Sequence, residues 1–83
     1  MSPKLRNITA LSFTKALERD GFIFKSKSKG GHRIYKHPET GIRISVPFHN
    51  SGQTFGPGLI GQLIKSAGWS DEDLVRLRLV RKG

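Results

Sequence analysis

The chemistry in this chain is concentrated in the run Lys29-Gly30-Gly31-His32-Arg33-Ile34-Tyr35-Lys36-His37-Pro38, where a histidine follows two glycines and sits among cations. Imidazole changes charge near neutral pH. Glycine lets another backbone come close, and Lys29 and Arg33 supply positive charge where a phosphodiester would bind. These parts suffice, without a metal, for proton transfer at a phosphate and for stabilising the charge that grows on it. His37 and His49 are the chemical candidates for a second proton carrier, and the sequence does not choose between them. His37 precedes Pro38 and has strand parity opposite to His32, while His49 falls in a loop. The histidine spacings of five and twelve residues match no helical or finger pattern of metal ligands, and there is no cysteine. No metal and no cofactor are expected.

Each residue also has a plainer role. A histidine opening a strand is most often a polar edge residue, and a strand tyrosine such as Tyr35 more often packs across strands than stacks on a base. A lysine row such as Lys25-Lys27-Lys29 also discourages edge-to-edge pairing.

A chain of 83 residues, 35% of them hydrophobic, builds one core, so a single domain over 1–83 is expected, with a basic lead at 1–8 and a helical extension at 70–83. Fifteen Lys and Arg against six Asp and Glu give a net charge of +9, which favours nucleic acid, an acidic protein or, least of the three, an anionic membrane surface as partner. No apolar run approaches the roughly 20 residues that span a bilayer. Met1 to Asn7 also lacks the apolar stretch of a secretory signal, so a cytoplasmic protein without membrane contact is expected.

Thr9 can cap a helix that buries Phe13, Ala16 and Leu17 and stops at Asp20-Gly21. Alternation then places strands near 22–27, 32–37 and 41–47, joined by turns at Lys27 to Gly31 and Pro38 to Gly41. Pro57 suits the first turn of a helix whose stripe is Leu59, Ile60, Leu63, Ile64 and Ala67 and whose end is Gly68. Ser70-Asp71-Glu72-Asp73 opens a terminal helix with Arg76, Arg78, Arg81 and Lys82 at its far end. Its stripe of Leu74, Leu77 and Val80 needs a cover, either its own sheet, a partner protein or a second copy in a homodimer. The architecture is α+β, a three-stranded antiparallel sheet with helices on one face.

Strand parity assigns Phe22, Phe24, Ile34, Ile42, Ile44 and Val46 to the helix-covered face, with His32 on the same side at its rim. The open face then carries Ile23, Lys25, Lys27, Arg33, Tyr35, His37, Arg43 and Ser45. A cationic face with one aromatic ring suits phosphate and sugar contacts.

In order and spacing these segments resemble the HicA toxins, small bacterial mRNA interferases with a fold like the double-stranded-RNA-binding domain. The resemblance rests on Ile8-Thr9, Ala16 to Phe22, Lys29 to Pro38, Val46-Pro47-Phe48-His49 and Pro57 to Gly68. It implies an α-β-β-β-α fold, metal-independent cleavage of mRNA, and inhibition by a HicB-type antitoxin. The family's Gly-Ser-His triplet, whose histidine is required for cleavage, falls on Gly30, Gly31 and His32, with glycine standing here for the usual serine. By this resemblance His32 is catalytic. Lys25, Lys27, Lys29, Gly30, Gly31, Arg33, Tyr35, Lys36 and Arg43 are the expected RNA contacts. The alternative of a different class is a noncatalytic RNA-binding module that keeps the fold and the cations but needs His32 only for affinity.

Overall fold

The computed structural model describes residues 8–79. The first helix, α1 (Ala10–Arg19), starts at Thr9, whose hydroxyl accepts the Ser12 amide at 3.0 Å, and ends at Asp20. Ala10, Phe13, Ala16 and Leu17 recur at helical spacing and are fully buried. Burial of a side chain the size of Phe13 or Leu17 contributes about 1.5–3 kcal/mol each. Gly21, at φ +100°, then turns the chain where a Cβ would stand 2.9 Å from the His37 ring. Both the angle and the space call for glycine.

Three strands follow, β1 (Ile23–Lys27), β2 (His32–Lys36) and β3 (Arg43–Pro47), in an antiparallel sheet of order β1-β2-β3. α2 (Pro57–Ala67) packs chiefly on β3, and α3 (Asp71–Arg76) closes the core from the end of α2. The order helix, three antiparallel strands, helices is the α+β arrangement anticipated from the sequence.

The register corrects the assignment of faces on β2. Directly paired residues share a face, and Tyr35 pairs with Ile44 while Arg33 pairs with Val46. Ile44 and Val46 are core residues, so Tyr35, only 2% exposed, and Arg33 point to the helices. His32 (with Pro47), Ile34 (with Ser45) and Lys36 (with Arg43) lie on the open face. The expected phase is inverted: Ile34 and His32 leave the covered side, and Tyr35 and Arg33 leave the open one. Lys27 pairs with Arg33 and shares its side.

A bulge at Lys25, between Phe24 and Ser26, shifts the alternation on β1. Phe24 therefore faces Tyr35, ring centroids 5.7 Å apart, but remains 46% exposed at the sheet edge and is not the core residue expected of it. Of the α2 stripe, Ile60, Leu63, Ile64 and Ala67 are buried and Leu59 is 37% exposed.

Ile8, assigned to the basic lead, belongs to the core, and residues 1–7 lie outside the described part. Ser70 caps α3 in a reciprocal capping box with Asp73. Leu74 and Leu77 are buried in the chain's own core, joined by Leu79, so among the described residues the terminal stripe is covered by its own fold, the first of the three covers expected. Val80, Arg81 and Lys82 lie outside the described residues. Among the described residues no helix is long and apolar enough to cross a membrane.

Candidate nucleic-acid interface and catalytic histidines

The β1–β2 turn is built on Ser28. Its amide donates to the His32 carbonyl at 2.8 Å, its carbonyl accepts the Gly31 amide at 3.1 Å, and its hydroxyl accepts the His32 amide at 3.2 Å. Gly31 sits at φ +81°, a region that side-chain-bearing residues rarely enter. Its carbonyl accepts the Phe48 amide at 3.0 Å, which extends the pairing with the β3 side past Pro47. His32 thus leaves the turn half-buried on the open face, its backbone fixed at both ends. Its ring Nδ1 lies 3.5 Å from where a Cβ on Gly30 would stand.

The segment after β3 folds back over this turn. The His49 amide donates to the Gln53 side-chain carbonyl at 2.7 Å, and the Gln53 backbone carbonyl accepts the Ala10 amide at 2.7 Å. A bridge between Thr9 and Thr54 adds a second tie to the start of α1. Held this way, the exposed His49 places its Nδ1 3.1 Å from the Cβ position of Gly31. Arg33, on the other side of β2, lays its guanidinium 3.6 Å from the Phe48 ring centroid. A guanidinium stacked on an aromatic face keeps its in-plane donors free for an anion.

His37 lies at the far end of β2, five residues from His32, a separation of about 17 Å at strand rise. Its Nε2 lies 2.8 Å from the Asp20 carbonyl oxygen, and its Nδ1 is approached by the amides of Glu39 and Thr40 at 3.2 and 3.4 Å. That set fixes the tautomer with the proton on Nε2, since amides donate to Nδ1. Phe22 packs edge-on against the ring at 5.0 Å. Both nitrogens are occupied by backbone, so the structure takes His37 out of the group around His32. Next to it opens a cleft of about 460 Å³ lined by Asp20, Glu39 and Asp73 as well as His37, Trp69 and Arg76. Three carboxylates against one guanidinium make this cleft a poor place for phosphate.

Cations gather along the β1 edge and its turn, and on the open face at the His37 end of the sheet. Lys25, Lys27 and Lys29 are exposed on β1 and its turn, and Lys36 and Arg43 are exposed and paired across the open face. Among the described residues none of these, nor Arg33, has a carboxylate within ion-pair distance; Arg76 takes Asp20 and Asp73. Tyr35 drops out of the expected RNA contacts, since a buried ring cannot stack on a base. Sequence reasoning had no signal for Phe48 beneath Arg33, or for Ser28 and Gln53 as the groups that fix His32 and His49. All three act through the folded loop geometry. Among the described residues no three potential ligands converge to hold a metal ion.

Residues 12–69 match the family model described as HicA toxin of bacterial toxin-antitoxin, a span covering more than two thirds of the chain. The chain belongs to the HicA toxin family. No curated protein and no solved structure matches it. The matched span runs from the first turn of α1 to Trp69 and includes the whole sheet, the Gly30-Gly31-His32 turn and α2. As a HicA toxin the chain is one half of a toxin–antitoxin pair, which implies a protein partner.

Proposed function

We propose that this HicA toxin is a metal-independent endoribonuclease that cleaves mRNA with His32, and that a HicB-type antitoxin restrains it by covering the cationic end of the sheet. The observation that carries this reading is the placement of His32. Its ring stands on the open face at the end of the sheet that also bears Lys27, Lys29 and Arg33, while its backbone, and not its ring, makes the local hydrogen bonds. A structural histidine uses its nitrogens, as His37 does here. Among the described residues neither ring nitrogen of His32 has a partner.

Lys29 lies three residues before His32 in the same turn, and Arg33, on the other face of β2, is braced on Phe48, so a phosphate drawn to this end of the sheet meets one donor that costs little to order. Lys25 and Lys27 continue the cationic track along β1, and Lys36 and Arg43 extend it over the open face. The test is incubation of the purified protein with mRNA in EDTA beside His32→Ala. Cutting by the parent and binding without cutting by the variant support the reading. Equal binding with no cutting by either protein supports the noncatalytic RNA-binding module instead.

A further inference from the structure

The turn Gly30-Gly31 has an imidazole on each of its two residues. A Cβ on Gly30 would stand 3.5 Å from Nδ1 of His32, and a Cβ on Gly31 would stand 3.1 Å from Nδ1 and 3.2 Å from Cε1 of His49. Consecutive Cα atoms are about 3.8 Å apart, so two rings that come from different loops are brought against one dipeptide. The absence of a side chain at Gly31, at φ +81°, is what gives the His49 ring its seat. Among the described residues both His32 and His49 make their hydrogen bonds through backbone atoms, and neither ring has a partner. The loop carrying His49 is nonetheless fixed, through Gln53, to the start of α1. An exposed histidine on so anchored a backbone, with an idle ring against the same dipeptide as a second idle ring, has the attributes of a working group.

The geometry points to His49 as the second proton carrier, acting with His32 on a single RNA phosphodiester. This inference rests on the nuclease reading above and deepens it. In the step, the ribose 2'-oxygen bonds to phosphorus while its proton passes to one imidazole, and the bond from phosphorus to the 5'-oxygen breaks as the other imidazolium gives that oxygen its proton. The products carry a 2',3'-cyclic phosphate and a 5'-hydroxyl, the two rings exchange protonation states, and no metal or external reactant enters. Lys29, in the same turn, is the cation offered to the charge on the non-bridging oxygens. His37 is excluded by its place at the other end of β2 and by the backbone groups that occupy both its nitrogens.

The experiment compares the full-length parent, His32→Ala and His49→Ala on an RNA oligonucleotide that the parent cuts. It then repeats the comparison with sulfur in place of the 5'-bridging oxygen at that bond, since a thiolate leaves without a proton. On ordinary RNA each variant should slow cutting by about 100-fold or more, the usual share of a placed acid or base. RNA affinity and melting temperature of His49→Ala should match the parent, because the ring is exposed. On the sulfur substrate one of the two variants, the one lacking the acid, should recover to near the parental rate while the other stays slow. Retention of parental rate by His49→Ala while His32→Ala is inert overturns the second carrier and leaves the nuclease reading intact. So does a slow His49→Ala when neither variant recovers on sulfur, which would make the ring a positioning group. Failure of the parent to cut any RNA overturns both.

Discussion

The indole Nε1 of Trp69 donates to Oδ2 of Asp20 at 2.7 Å, joining the residue that ends α1 to the one that follows α2. The other oxygen of Asp20 takes Arg76 of α3 at 2.8 Å, so a single carboxylate gathers three helices. Trp69 is buried and packs its ring 5.4 Å from that of Phe13. Asp20→Ala leaves a buried N–H without a partner and is expected to cost about 1–3 kcal/mol. For a domain of this size each kcal/mol lowers the melting temperature by about 4–8 °C, so calorimetry reads the change directly. Arg76→Ala, at an exposed site, should lower it much less, as surface ion pairs do.

The cap of α3 gives the fold a pH dependence in the acid range. The Asp73 carboxyl is held below its ordinary 3.8, chiefly by the hydrogen bond from the Ser70 backbone and further by Arg76 and the Ser70 hydroxyl. The folded state prefers the ionised form, so this contribution is complete above pH 3.8 and is lost as the pH falls through the lowered value. Asp73→Asn should be less stable than the parent at neutral pH, with the difference closing in melts below pH 3.8. Ser70→Ala should cost about 0.5–2 kcal/mol at neutral pH, the usual loss of an N-cap.

RNA affinity should depend on exposed cations and not on the tyrosine. Lys27→Ala and Lys29→Ala should each weaken binding to single-stranded RNA and reduce the slope of log affinity against log salt by about 0.7, one phosphate contact apiece. Tyr35→Ala should cost about 3–5 kcal/mol of stability, in the range of large aromatic truncations, yet leave the affinity of the folded fraction unchanged. Filter binding at several salt concentrations, beside thermal melts, separates the two effects.

At the Gly31 turn, substitution strains the backbone and crowds a neighbour. A side chain at φ +81° costs about 1–2 kcal/mol. The added Cβ of Gly31→Ala, 3.1 Å from Nδ1 of His49, pushes that ring aside. The expected outcome is a lower melting temperature with displaced His49 ring resonances in NMR spectra, while those of His37 stay in place.

Much of this was legible in the chain itself. Thr9, Gly21, Pro57, Gly68 and Ser70 bound the helices where their capping chemistry put them, and all three strands formed within two residues of the expected limits. The face of β2 was not legible. Ile34 and Tyr35 are adjacent and apolar, so alternation within the strand fits either phase, and the choice is made by cross-strand pairing with Ile44 and Val46. Local parity likewise could not show the bulge at Lys25, which changes the alternation partway along β1. In the site, His32 and the cations stood out by type. The seat of His49 on Gly31 and the stack of Arg33 on Phe48 did not, because each joins residues more than a dozen positions apart.

The central claim is that His32 moves a proton at an RNA phosphate. Its most direct test is the first-order rate of mRNA cleavage in EDTA by the purified toxin and by His32→Ala, with RNA affinity measured on the same samples. The account predicts breaks ending in a 5'-hydroxyl with the parent, and at equal affinity a rate lower by about 100-fold or more with the variant. Transcript cleavage by His32→Ala at the parental rate would contradict it.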